Sequence, residues 1–311
     1  MTVRARDAAG NYSAQSTALP VTTSAVPAAG SRDAHATAGQ SNVGWVWASD
    51  MDGTQAATYR QTAVNSLFYN GEVQGPGYTN WGAANSPINV GRNTHVSDGF
   101  NTTNSPTYGS TSTQNGGHFG MIGPLAIRLN NYQSRARYFF QNGKGGASLG
   151  VDYKVGTGFR WGQLRDRLQE WANLAETAGN PLVLKSFTWH QGEQDARTDV
   201  VDNTALANAY GANLAEFMSW LRSYWYGIET AKGWTHNEFL VIMPLTKTRW
   251  ANYQIVNNAK IAYANANPTN TVIINTVDET TYPTNPADGD HFSATAQINL
   301  SQTIFNLVKD L

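Results

Sequence analysis

Four short blocks hold residue types that could activate a hydroxyl and stabilise an oxyanion. They are Gly39-Gln40-Ser41-Asn42, Gly145-Gly146-Ala147-Ser148, Trp189 to Ala196 (WHQGEQDA) and Asp288-Gly289-Asp290-His291. Nucleophilic catalysis by serine needs a base within hydrogen-bond reach of the hydroxyl and a carboxylate that fixes the tautomer of that base. Asp288, three positions before His291 on one loop, is a compact way to orient an imidazole. Backbone amides at glycine-rich turns can surround a developing oxyanion without steric cost. Alone, each block is weak: GQSN also fits an ordinary turn, and Asp290 reads as a capping residue for the helix that follows.

The elements around these blocks decide whether they can meet. Asp33–Ala38 reads as an extended segment running into Ser41, with a short hairpin expected around Leu67–Val73. Leu125–Asn131 reads as a helix and Arg135–Phe140 as a strand. Leu164, Leu168, Trp171, Leu174 and Ala175 recur at helical spacing between Trp161 and Ala178. Leu182–Trp189 reads as a strand, Phe239–Met243 is a short apolar run typical of a buried parallel strand, and Thr271–Asn275 reads as another buried strand. Ala205–Tyr226, Asn252–Asn265 and Ala294–Val308 read as helices. Strands alternating with helices imply right-handed βαβ units and a three-layer α/β/α sandwich with a mostly parallel sheet, similar to the flavodoxin-like architecture. In such folds, ligands bind beyond the carboxyl ends of the strands. Ser41, Gly145-Gly146, Gln191 and Glu193 follow strands, and the Asp288–His291 loop precedes the last helix. All should gather at one edge.

Composition narrows the chemistry further. The 311 residues carry a net charge of −1 with only 14% charged residues, which offers no electrostatic case for nucleic acid or an anionic membrane. No apolar run is long enough to span a bilayer, and Met1–Asn11 lacks the apolar core of a signal peptide. With no Cys, disulfides, thiolate metal sites and a cysteine nucleophile are excluded. Polarity comes instead from Asn, Thr, Ser, Gln and Gly beside 10 Trp and 14 Tyr, a mixture suited to neutral polar ligands such as sugars. Trp45, Trp47, Trp81 and Trp189 are candidate sugar platforms, with His190 as a pocket-lining residue. Trp161, Trp171 and Trp220 read as core, and His95 and His118 as surface residues. The Gly143–Gly146 segment lacks the Lys-Ser/Thr ending of a phosphate-binding loop.

The four blocks in this order resemble the SGNH/GDSL hydrolase superfamily, and most nearly its sialate O-acetylesterase and acetylxylan-esterase-like carbohydrate esterases. The resemblance spans roughly residues 33–311 and implies a domain at 31–311, within which the Asn/Gly/Ser/Thr-rich stretch Gly75–Gly117 reads as a long polar insertion at about 70–118. It implies Ser41 as nucleophile, His291 as general base and Asp288 as its orienting acid. The oxyanion hole would use the amides of Ser41 and of the Gly145-Gly146 turn, at Gly146, with the Gln191 side chain. Gln40, Asn42, Gly145 and Glu193 would support the turns, and Trp189 and His190 would meet substrate. The expected reaction is removal of O-acetyl groups from a carbohydrate through an acetyl-enzyme, with no metal or organic cofactor. A binding module and a short-chain lipase are the alternatives. One departure stands out, since Asp33-Ala34-His35-Ala36-Thr37-Ala38 is more polar than the strand usual there.

Residues 1–30 resemble the final hairpin of a fibronectin type III domain (VRARDAAGNYSAQS) followed by a linker. That points to a modular, extracellular or secreted bacterial or phage-associated protein with other domains upstream.

Overall fold

The computed structural model describes residues 30–44, 46–47, 50–59, 63–70, 95–96 and 118–311. The fibronectin-like segment, Trp45, Trp81 and most of the 70–118 insertion lie outside the described residues, as does the side chain of Trp47.

Among the described residues, a seven-stranded sheet forms the middle layer. Its strands are β1 (Arg32–Gly39), β3 (Ala63–Asn70), β4 (His95–Val96), β6 (Arg137–Gly143), β7 (Leu182–His190), β8 (Leu240–Pro244) and β9 (Thr271–Ile274). The spatial order is β4-β3-β6-β1-β7-β8-β9. Each neighbouring pair is parallel except β3 with β4. Two further short strands, β2 (Val46–Trp47) and β5 (His118–Phe119), pair separately. Of the hairpin expected around Leu67–Val73, Leu67–Asn70 belong to a strand that runs parallel to Tyr138–Gln141, and residues 71–73 lie outside the described residues. The apolar run there is too short for periodicity to separate the two arrangements.

Helices cover both faces. They are α1 (Gly53–Tyr59), α2 (Ile122–Tyr132), α3 (Phe159–Thr177), α4 (Glu193–Ala196), α5 (Thr204–Ala231), α6 (Tyr253–Ala266) and α7 (Ala294–Val308). The α3, α5 and α6 helices pack on one face in a cluster that includes Ala34, Ala36, Ala38, Phe140 and Trp189. The α2 and α7 helices pack on the other through Phe139, Ile242 and Ile274. This is the expected α/β/α sandwich.

The strand β1 occupies the centre and is buried along Asp33–Gly39 despite its polar residues. Alternation explains it. Ala34, Ala36 and Ala38 face the aromatic layer, where their small size leaves room for its large rings. Asp33, His35 and Thr37 face the other way, and each has a partner. Asp33 pairs with Arg135 at 2.5 Å, His35 Nδ1 lies 2.9 Å from Ser186 Oγ, and Thr37 donates to the Thr188 carbonyl. Buried polar groups are tolerated when partnered in this way. A bulge opposite Ala34/His35 places Lys185 as an extra residue in β7. It reverses the strand's alternation, so Leu182, Leu184, Phe187 and Trp189 all face the aromatic layer.

Candidate active site

Four segments converge beyond the carboxyl ends of β1, β6 and β7. The β1 strand runs into a 3-10 turn at Ser41–Val43, closed by the Gly44 amide donating to the Ser41 carbonyl. Gly39 permits the approach: its φ is +147°, and a Cβ there would stand 2.0 Å from the His190 carbonyl oxygen. The Gln40 amide donates to that same carbonyl at 3.0 Å. Tyr153, fully buried, donates its hydroxyl to the Gly39 carbonyl at 2.7 Å. Ser41 is thus held from both sides while remaining 8% exposed.

Asn42 connects this turn to the histidine loop. Its Nδ2 donates to Glu193 Oε1 at 2.9 Å, and its Oδ1 accepts from the Phe292 amide at 2.9 Å. Its carbonyl accepts from Gln297 Nε2 at 2.8 Å. The residue after Ser41 therefore touches the residue after His291. On that loop Asp288 Oδ2 lies 2.8 Å from His291 Nδ1, and Asp288 Oδ1 accepts the amides of Asp290 and His291 at 2.8 and 3.1 Å. Partial burial works against ionisation of Asp288, but these hydrogen bonds outweigh it and hold its carboxyl below the usual carboxylate range. Asp290 does not cap the following helix. Ser293 does, accepting from the Ala296 amide, while Asp290 pairs with Arg249.

Gln40 Oε1 accepts from the Gln194 amide at 3.1 Å, which seats the nucleophile turn on α4. The Gly145-Gly146 turn follows β6 at the same edge: the Lys144 amide donates to the Gly39 carbonyl at 3.1 Å. Gly146 has φ +68° and is exposed. Gln191 lies at the base of this turn, fully buried. Its Nε2 donates to Asp195 Oδ2 at 2.5 Å and to the Ala147 carbonyl at 3.1 Å. Both amide protons are thereby engaged, so this side chain braces the turn and does not offer a free donor to an oxyanion.

Two expected substrate contacts are corrected. Trp189 is fully buried, with its ring centroid 4.4 Å from that of Phe217 and 5.1 Å from that of Tyr153. His190, 1% exposed, packs its ring against Phe292 at 4.9 Å. Both belong to β7, which has layers on both faces, and that covering buries them. Burial pushes the His190 imidazole down to about 4, with Glu193, 3.9 Å away, opposing the shift.

Sequence reasoning assigned no role to three residues that shape the edge: Tyr153, Asp195 and Lys260. Lys260 is buried beneath Gly192 and donates to the Pro244 carbonyl at 2.8 Å and to Thr246 Oγ1 at 3.2 Å. Burial lowers its pKa to about 8, while Glu193 and Asp195 pull it back up. Asp195 had a signal, being a carboxylate inside the WHQGEQDA block. The other two lie on helical or loop stretches with none. No group of His and acidic side chains able to hold a metal ion occurs among the described residues.

No family model and no curated protein matches the sequence. Solved structures do match the fold. An Arabidopsis thaliana protein aligns with a TM-score of 0.61 at 15% identity, covering 90% of this chain and 98% of that one. NanS aligns with a TM-score of 0.55 at 13% identity, covering 92% and 98%. A carbohydrate acetylesterase from Xanthomonas citri aligns with a TM-score of 0.49 at 12% identity, covering 90% and 57%. The likenesses to the Arabidopsis protein and to NanS show a shared α/β/α fold.

Proposed function

We propose that the protein is a serine esterase that removes O-acetyl groups from a carbohydrate. The observation that carries this reading is the Asp288–His291 pair placed beside the Ser41 turn by Asn42. Ser41 Oγ attacks the acetyl carbonyl carbon while His291 Nε2 accepts the hydroxyl proton. Asp288 holds Nδ1–H and stabilises the imidazolium that forms. The backbone amides of Ser41 and Gly146 receive the oxyanion, and Gln191 fixes the Gly146 turn. Collapse of the tetrahedral intermediate breaks the C–O bond to the sugar, whose oxygen takes the proton from His291. Water, deprotonated by His291, then attacks the acetyl-enzyme and releases acetate with free Ser41.

The carbohydrate assignment rests on the amide- and aromatic-rich composition and the SGNH-type fold. The modular, extracellular setting rests on the fibronectin-like N-terminal stretch. The test is acetate release from a panel of acetylated polysaccharides, with Ser41→Ala as the blank. Release by the wild type alone is expected. Equal release by the variant overturns the assignment, and preference for octanoyl over acetyl esters would make the protein a lipase.

A further inference from the structure

Two carboxylates stand on the one-turn helix α4, Glu193 and Asp195, and they reach opposite halves of the site. Glu193 holds the nucleophile half through Asn42. Asp195 holds the other half. Its Oδ2 accepts from the Leu149 amide at 2.8 Å and from Gln191 Nε2 at 2.5 Å, and its Oδ1 accepts from the Gly150 amide at 3.2 Å. Leu149 and Gly150 directly follow the Gly145–Ser148 block. One side chain thus receives three donors from the loop that carries Gly146 and from the residue beneath it.

That arrangement is costly to keep. Asp195 is fully buried, and burying a carboxylate carries a penalty that hydrogen bonds only partly recover. Burial raises its pKa against the three hydrogen bonds, and the nearby Asp152 adds to the rise. Lys260 from α6 and Tyr210 from α5 interact electrostatically with it. A neutral side chain would serve packing alone with less desolvation. A three-donor carboxylate instead holds a backbone segment at a set distance, which oxyanion stabilisation requires.

We propose, on the basis of the esterase reading above, that Asp195 is a positioning residue that sets the Gly146 oxyanion turn against the Ser41 turn. It touches no substrate. It acts by fixing where the Gly146 amide stands when the tetrahedral oxyanion forms, so its effect falls on the transition state and not on ground-state binding.

The test is Asp195→Asn in the full chain, which keeps the shape but turns an amide NH2 either on the Gly150 amide or on the Leu149 amide and Gln191 Nε2 together. Turnover of p-nitrophenyl acetate and inhibition by phenylboronic acid, which forms a tetrahedral adduct on a serine, are measured together. Losing one oxyanion donor outright costs on the order of 10²–10³ in kcat, so a displaced donor should cost about 10- to 100-fold. KM is expected within about threefold of wild type, and boronate affinity should weaken by about the same factor as kcat. A purely structural role would lower the melting temperature and leave both quantities of the folded protein unchanged. Values within twofold of wild type in a folded variant overturn the proposal. If Asp195→Asn does not fold, Asp152→Asn loosens the same loop from its half-exposed side, where Asp152 accepts the Ser148 amide at 2.7 Å and the Ser148 hydroxyl at 3.1 Å. Parallel losses in kcat and boronate affinity then support the proposal, and unchanged values overturn it. A wild type that neither turns over ester nor takes boronate overturns the esterase reading and this inference together.

Discussion

The two faces of the sheet are built on opposite principles. Under α3, α5 and α6 lies an aromatic layer in which Phe140, Trp171 and Trp225 pack in sequence at 5.2 and 5.8 Å between ring centroids. Under α2 and α7, β1 and its neighbours present Asp33, His35, Thr37, Arg137 and Ser186, each buried and hydrogen-bonded or ion-paired. The aromatic face contributes stability through apolar area removed from water. The polar face contributes less, because desolvation offsets much of what its bonds return. Helix α7, which covers the polar face, supplies Gln297 and follows Phe292, the residues that grip Asn42. Most of the apolar burial thus lies on one side of β1, and the bonds that tie the Ser41 turn to the histidine loop lie on the other, while Tyr153 holds the Gly39 carbonyl from the aromatic side.

If that division holds, activity and stability can be broken separately. The largest effect is expected from Ser41→Ala: a loss of about 10⁴-fold or more in kcat/KM for p-nitrophenyl acetate, with thermal unfolding nearly unchanged. At about 1.4 kcal/mol per decade this exceeds 5 kcal/mol in the transition state alone. Trp171→Ala, on the aromatic face, should do the reverse. It should lower unfolding free energy by about 3–5 kcal/mol in a denaturant titration while leaving kcat of the folded fraction intact. Comparable damage to turnover would break the division.

A pH-dependent effect belongs to the polar face. Burial lowers the His35 imidazole to about 3, with Arg137, Lys185 and Arg135 adding to the shift, and lowers His190 to about 4. Both are neutral in the fold, whereas an unfolded histidine takes up its proton near pH 6.5. The unfolded state therefore binds more protons as pH falls from about 6.5 to about 4, and stability declines across that window by up to about 2.7 kcal/mol per pH unit for the pair. Melting temperatures measured from pH 7 to 4.5 should fall, and His35→Gln should roughly halve the slope. An unchanged slope would remove His35 from the account. The smallest effect is expected from Arg135→Gln. Its pair with Asp33 joins a 45%-exposed guanidinium to a buried carboxylate. Solvent screening limits the loss to about 1 kcal/mol, read as a small shift in denaturant midpoint.

Much of this was legible in the sequence for reasons that differ by element. Helices such as Ala294–Val308 announce themselves because one face must be apolar at a 3.6-residue period. The apolar run at β8 reads as a buried parallel strand because both faces are covered. The pair Asp288–His291 was readable because three residues of one loop suffice to bring the carboxylate onto the imidazole. By contrast, the alternating polar residues of β1 suggested a shallower strand. Their partners, Arg135, Ser186 and Thr188, are remote in the chain or on another strand, so nothing local shows them. Trp189 and His190 looked exposed for the same reason: a motif shows residue type, while burial depends on what packs above it.

What the sequence alone determined is the order of the elements and the residue types available at their ends. Chemistry-bearing groups follow strands, and that placement is written in periodicity. Only the tertiary structure decided which of them meet, since hydrogen bonds between Asn42 and Phe292, or Asp195 and Leu149, span 250 and 46 positions. Such contacts depend on strand order and register, which local propensity does not encode.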